Sequence, residues 1–143
     1  MTTFTSTCIR LVTGIAMTLL LSLAASSSSY AQACRCKAIT VVSDPGVACT
    51  VTMYPSAPLC KYAPIPVAPG STVEIGCCDD MMIRVGTCDG SEVIFGDNPK
   101  LPTCYTGVAI APGCCVDICL TIDRLTRCPV IRITPSSVRC ARC

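Results

Sequence analysis

Residues 76–128 read GCCDDMMIRVGTCDGSEVIFGDNPKLPTCYTGVAIAPGCCVDICLTIDRLTRC, and the cysteine spacing in this stretch decides the fold. It holds two adjacent pairs, Cys77-Cys78 and Cys114-Cys115, each preceded by glycine, with Cys88 and Cys104 between them and Cys119 and Cys128 after. Neighbouring cysteines rarely bond to each other, because closing so small a ring strains both the peptide and the disulfide. Each pair therefore ties one point of the backbone to two different places, which describes a covalent framework more than a reaction centre. Between the cysteines, apolar residues alternate with polar ones in Met81-Met82-Ile83-Arg84-Val85, Glu92-Val93-Ile94-Phe95 and Val116-Asp117-Ile118-Cys119-Leu120-Thr121-Ile122. These are patterns of strands with one face turned inward.

The alternation continues outward in both directions, in residues 38–42, 49–54, 71–75, 108–110 and 130–134. Turn signals separate these segments: Asp44-Pro45-Gly46, Pro69-Gly70, Asp89-Gly90, Gly96-Asp97-Asn98-Pro99 and Pro112-Gly113. About seven to nine short strands spaced this way predict an all-β, disulfide-rich β-sandwich, Ig-like or a small barrel. Three segments share the form Pro-Gly-x-x-apolar-polar-apolar, starting at Pro45, Pro69 and Pro112; their irregular spacing makes them turns feeding strands and not a solenoid repeat. Tyr54 to Gly70 carries prolines at 55, 58, 64, 66 and 69, so this stretch is a surface loop or an edge strand, where a missing backbone donor is tolerated.

The N-terminus reads as an export signal: Arg10, an apolar run from Leu11 to Ala25, then the small-x-small site Ala31-Gln32-Ala33. Residues 1–33 are expected to be cleaved, leaving 34–143 as a single cysteine-rich β domain with no membrane span, since the apolar run is shorter than the roughly 20 residues a bilayer requires. Ala31 stands where a lipoprotein signal carries a larger aliphatic residue. Of 15 cysteines only Cys8 falls in the signal, so 14 remain, an even number that lipidation of Cys34 would break. The expected framework comprises Cys34, Cys36, Cys49, Cys60, Cys77, Cys78, Cys88, Cys104, Cys114, Cys115, Cys119, Cys128, Cys140 and Cys143, and its density implies an oxidising destination, secreted or at the cell surface, or the periplasm in a Gram-negative source. Cys34, Cys36, Cys140 and Cys143 lie at the two ends, where order is lowest, and are candidates for cross-links between chains.

Histidine is absent from the whole chain, which removes the usual general base and the Ser-His and Cys-His nucleophile pairs. Asp79-Asp80 is the one adjacent acidic pair, and on a strand its members point to opposite faces. No phosphate loop or nucleophile elbow is present. No enzyme, cofactor or metal site is expected, and the near-neutral charge, +2 over the full chain, gives no reason to expect nucleic acid. Acidic residues gather in the middle (Asp79, Asp80, Asp89, Glu92, Asp97) and arginines near the end (Arg124, Arg127, Arg132, Arg139, Arg142), a split that head-to-tail association of subunits can use.

The order Cys60, Cys77-Cys78, Cys88, Cys104, Cys114-Cys115, Cys128 resembles the single, double, single, single, double, single cysteine pattern of fungal hydrophobins. The resemblance covers about half of the chain after the signal and implies a surface-active coat protein; Cys34, Cys36, Cys49, Cys119, Cys140 and Cys143 stand outside it. From the residues themselves, the leading expectation is a structural or assembly protein, a surface, fibre or matrix subunit whose partner is itself, as homo-oligomer or filament. The alternative is a monomeric binding module, an inhibitor or effector aimed at another extracellular protein, with Tyr54 to Gly70 as its working loop.

Overall fold

In a computed structural model that describes residues 38–76, 80–96, 101–140 and 143, the chain forms nine strands and, among the described residues, no helix. They are β1 (Ala38–Ser43), β2 (Val51–Ser56), β3 (Ile65–Val67), β4 (Thr72–Gly76), β5 (Met82–Gly86), β6 (Glu92–Phe95), β7 (Thr103–Ala111), β8 (Cys114–Ile122) and β9 (Pro129–Pro135). Two sheets result, one of five strands in the order β4-β1-β9-β8-β7 and one of four in the order β3-β2-β5-β6. The expected sandwich is therefore present as two separate sheets. Every pairing is antiparallel except β1 with β9.

Alternation builds the core. Along β8, Cys114, Val116, Ile118 and Leu120 are buried while Cys115, Asp117, Cys119 and Thr121 are not, because successive side chains of a strand face opposite sides. Val41, Ile75, Ile131 and Ile133 join them from the same sheet, and Val51, Met53, Val67, Ile83, Val85 and Phe95 meet them from the other. This core is mostly β-branched, which suits a pleated surface.

The proline-rich stretch resolves into a turn and a three-residue edge strand. β3 begins opposite Met53, so Pro55 lies beyond it, where β2 has only β5 beside it. Both open sides of the sandwich are closed by tyrosine. The Tyr105 hydroxyl donates to the Ile94 carbonyl at 2.8 Å and its ring meets Phe95 edge-on at 5.1 Å, joining β7 to β6. Tyr62 donates to the Gly76 carbonyl at 2.9 Å on the β4 side.

Two glycines are dictated by the backbone. Gly107, at φ 66°, sits in a bulge of β7 where its amide donates to the Asp117 carboxylate at 2.8 Å. A Cβ on Gly96 would lie 2.6 Å from Met82 Cγ and 2.9 Å from Met82 Cα, so only glycine fits that approach.

Because each strand reverses, the connections sort into two ends. Residues 44–50, 68–71, 87–91, 112–113 and the segment after β9 lie at one end; the loops 57–64 and 123–128, Asp80 and Leu101 lie at the other. Among the described residues the acidic middle and basic end read from the sequence are divided by this sorting: Asp80 falls at one end and Asp89 at the other, and Arg124 is separated from Arg139 in the same way; Asp79, Asp97 and Arg142 lie outside the described residues.

Candidate functional site

The loop joining β8 to β9 is built by one carboxylate. Asp123 Oδ1 accepts the amides of Leu125 (3.0 Å) and Thr126 (2.8 Å) and the Thr126 hydroxyl (3.0 Å). The backbone closes around it, with the Arg127 amide on the Asp123 carbonyl and the Asp123 amide on the Cys128 carbonyl, each at 2.9 Å. Hydrogen bonds from the Thr126 amide and hydroxyl, then from the Leu125 amide, hold the Asp123 carboxyl below its ordinary range. The carboxylate is thus turned inward, and Arg124, Leu125 and Arg127 are turned out. Leu125 is 92% exposed.

The loop from β2 to β3 has the same character. Ala57 and Cys60 form a bridge, with the Cys60 amide on the Ala57 carbonyl at 3.3 Å, and Pro58 and Leu59 occupy the corner between them. Leu59 is 99% exposed, and Lys61 follows it on the surface. Cys60 and Cys128, within or closing these two loops, are both disulfide-bonded. Two short, internally bonded loops at one end of the sandwich therefore each hold a leucine in solvent, with lysine or arginine beside it. Leu101, 42% exposed just ahead of β7, adds a third apolar residue there.

The opposite end is covalent. Cys49 bonds Cys114 across the two sheets, Cys115 bonds Cys140, and Cys88 bonds Cys143. The adjacent pair Cys114-Cys115 thus reaches two places, Cys114 through the core (3% exposed) and Cys115 on the outer face, because neighbours on a strand face opposite ways. Cys104 and Cys119, direct partners across β7 and β8, form a fourth bridge on the outer face, with Cα atoms 4.1 Å apart.

Two expectations change here. Cys140 and Cys143, read as candidates for cross-links between chains, are each bonded within the chain, since the segment after β9 runs back along β8 and past the β5–β6 turn; Cys34, Cys36, Cys77 and Cys78 lie outside the described residues. Nor does the eight-cysteine hydrophobin pattern close on itself. Cys88, Cys104, Cys114 and Cys115 are bonded to Cys143, Cys119, Cys49 and Cys140, all outside that set, so the resemblance does not extend to the disulfide framework.

Among the described residues, an open cleft of about 610 Å³ runs between the β7–β8 hairpin and residues 136–140 with Cys143, and one of about 270 Å³ lies beside Asp89 and Tyr105. Asp89 is held down to about 2, first by the Thr87 hydroxyl, then by the Ser91 hydroxyl and amide. It is the acceptor that shapes the β5–β6 turn. Among the described residues no group of three or more potential ligands is placed to hold a metal ion, and no helix is long and apolar enough to cross a membrane.

Sequence reasoning singled out Tyr54 to Gly70, which contains Leu59, but passed over Arg124-Leu125-Thr126-Arg127. The available signal was Asp123, an aspartate that ends an alternating strand two residues before a lone leucine. The fold and its bridges define the class, a disulfide-locked β-sandwich of a kind that persists in oxidising surroundings. No family model, curated protein or solved structure matches this chain.

Proposed function

We propose that this chain is an exported, non-catalytic recognition module that works through its loop end. One observation carries this reading: Leu59 and Leu125, 99% and 92% exposed, stand on two rigid loops at the same end of the sandwich. Folding leaves most large aliphatic side chains covered, and the two most exposed among the described residues are held out by hydrogen bonds and disulfide-bonded cysteines. A pre-formed loop loses little freedom when it binds, which favours affinity. The bridges Cys49–Cys114, Cys115–Cys140 and Cys88–Cys143 fasten the opposite end, and bonded Cys60 and Cys128 fasten the bases of the two loops here while leaving their leucines in solvent. Acid-base chemistry has little support, since Asp89 and Asp123 serve as acceptors in their own turns.

Assembly of a surface, fibre or matrix subunit is the second reading, favoured by the outer face of the four-stranded sheet. There Tyr54, Arg84 and Ile94 fall in one register row, with Tyr54 and Ile94 each 46% exposed. Sedimentation velocity of the secreted protein from about 5 µM to 500 µM separates the two. A monomer throughout is the expected result; reversible oligomers, or a reducible ladder on a gel, would overturn the recognition reading in favour of assembly.

A further inference from the structure

The chemistry of the loop end points to what it meets. Leu59 and Leu125 rise from separate convex loops. With strands about 4.8 Å apart and sheets about 10 Å apart, the bases of these two hairpins lie roughly 10–15 Å from each other. Neither leucine sits in a packed patch, and the described loop residues present no exposed aromatic ring. A protein interface concentrates its affinity in a central, tightly packed cluster enriched in tyrosine, tryptophan and arginine. Aliphatic knobs on separate loops, with half-exposed Leu101 beside them at the same end, suit a fluid, apolar phase that closes around each one separately.

The charges agree. Arg124 and Arg127 flank Leu125, and Lys61 lies two residues from Leu59. All three are exposed. Of the acidic side chains described at this end, Asp123 is turned into its own loop and Asp80 alone is exposed. Long basic side chains beside an inserted apolar residue can lay their stems along it and keep their charge at the phosphate level. We infer that the loop end docks the protein on an anionic lipid bilayer, with Leu59 and Leu125 entering the acyl boundary and Arg124, Arg127 and Lys61 meeting the phosphate layer. This assignment rests on the loop end being the working surface.

Transfer of one leucine from water to an apolar phase changes a partition coefficient about ten- to hundredfold, and each basic residue near an anionic surface contributes about fivefold. The test is co-sedimentation of the secreted protein with vesicles of phosphatidylcholine alone or with about one-third phosphatidylglycerol. Partition into the phosphatidylglycerol vesicles is expected, weakened at least tenfold by Leu59→Ser or Leu125→Ser, about fivefold by Arg124→Gln, and reduced by salt. The chain has no tryptophan, so Leu125→Trp supplies a single indole, excited selectively at wavelengths longer than the tyrosines absorb, whose emission is expected to shift to the blue and be quenched by brominated acyl chains. No partition of the native protein, or serine variants that partition as it does, overturns the assignment. So does binding to native membranes that disappears when those membranes are treated with protease while pure vesicles are ignored, which would give the end to a protein partner. A monomer that ignores phosphatidylglycerol vesicles removes only the lipid assignment; self-association in the sedimentation measurement removes the recognition reading itself.

Discussion

Removing the Cys49–Cys114 bridge with the double variant Cys49→Ala/Cys114→Ala tests how the two sheets are held together. The bridged residues are 65 apart in sequence, and in the chain-entropy treatment a loop of that size contributes about 4 kcal/mol through the unfolded state. The other bridges shorten the loop. In an unfolded chain that keeps Cys88–Cys143 and Cys115–Cys140, the path from Cys49 runs to Cys88, across to Cys143, back to Cys140 and across to Cys115, which leaves a loop of about 45 residues. Since the dependence is logarithmic, the contribution stays near 4 kcal/mol. Cys114 is also 3% exposed, so deleting its sulfur adds about 1 kcal/mol of lost burial.

For a domain of about 100 residues, each kcal/mol moves the Tm by about 4 °C, so a fall of roughly 15–25 °C is expected. The assay is scanning calorimetry on protein whose remaining bridges are confirmed by mass. The control is Cys104→Ala/Cys119→Ala, which opens a 15-residue loop on the outer face of strands already joined by a ladder and is expected to cost about 3 kcal/mol or less. A Cys49/Cys114 variant that melts within about 5 °C of the native protein, or no lower than the control, would refute the idea that this bridge clamps the sandwich.

Two further outcomes follow from local geometry. Gly96→Ala drives a methyl group into the backbone and side chain of Met82 and is expected to lower stability by about 1–2 kcal/mol in guanidinium unfolding, the overpacking outweighing the gain from a stiffer unfolded chain; unchanged or raised stability would refute that approach. Asp89, held at about 2 when folded against an ordinary value of 3.8, has its folded-state pKa depressed, so its stabilising contribution is full above about pH 4 and fades as pH falls toward 2. Carbon chemical shifts of its carboxyl group are expected to titrate near 2, and Asp89→Asn should flatten that limb of the stability profile; a midpoint at 3.8 or above would mean that Thr87 and Ser91 do not hold it.

Much of the architecture was legible in the residues because a strand's two faces are a local property. Val116-Asp117-Ile118-Cys119-Leu120 shows its buried and outer members by alternation alone, and Cys114-Cys115 shows that its members part ways. What each cysteine reaches is another matter. Cys114 meets a partner 65 residues away and Cys115 one 25 residues away, and nothing near either position records this, because the packing of the two sheets brings Cys114 to Cys49 and the pairing of β9 beside β8 brings the following segment back to Cys115. Cys140 and Cys143 looked like free ends for the same reason.

The loop end turns on parity. Reversing strands place connections at alternate ends, so which loops share an end depends on how many strands lie between them. The alternating segments visible in the sequence number eight, and by that count Leu59 and Leu125 fall at opposite ends. The missing strand is β3, Ile65–Val67, three residues in a run of prolines, too short for any alternation to show. It exists because the edge of β2 offers Val51, Thr52 and Met53 as pairing partners, a surface that forms only once the sheet has assembled. Composition, alternation and cysteine density establish an oxidised all-β sandwich; three residues of tertiary pairing decide that Leu59 and Leu125 stand together.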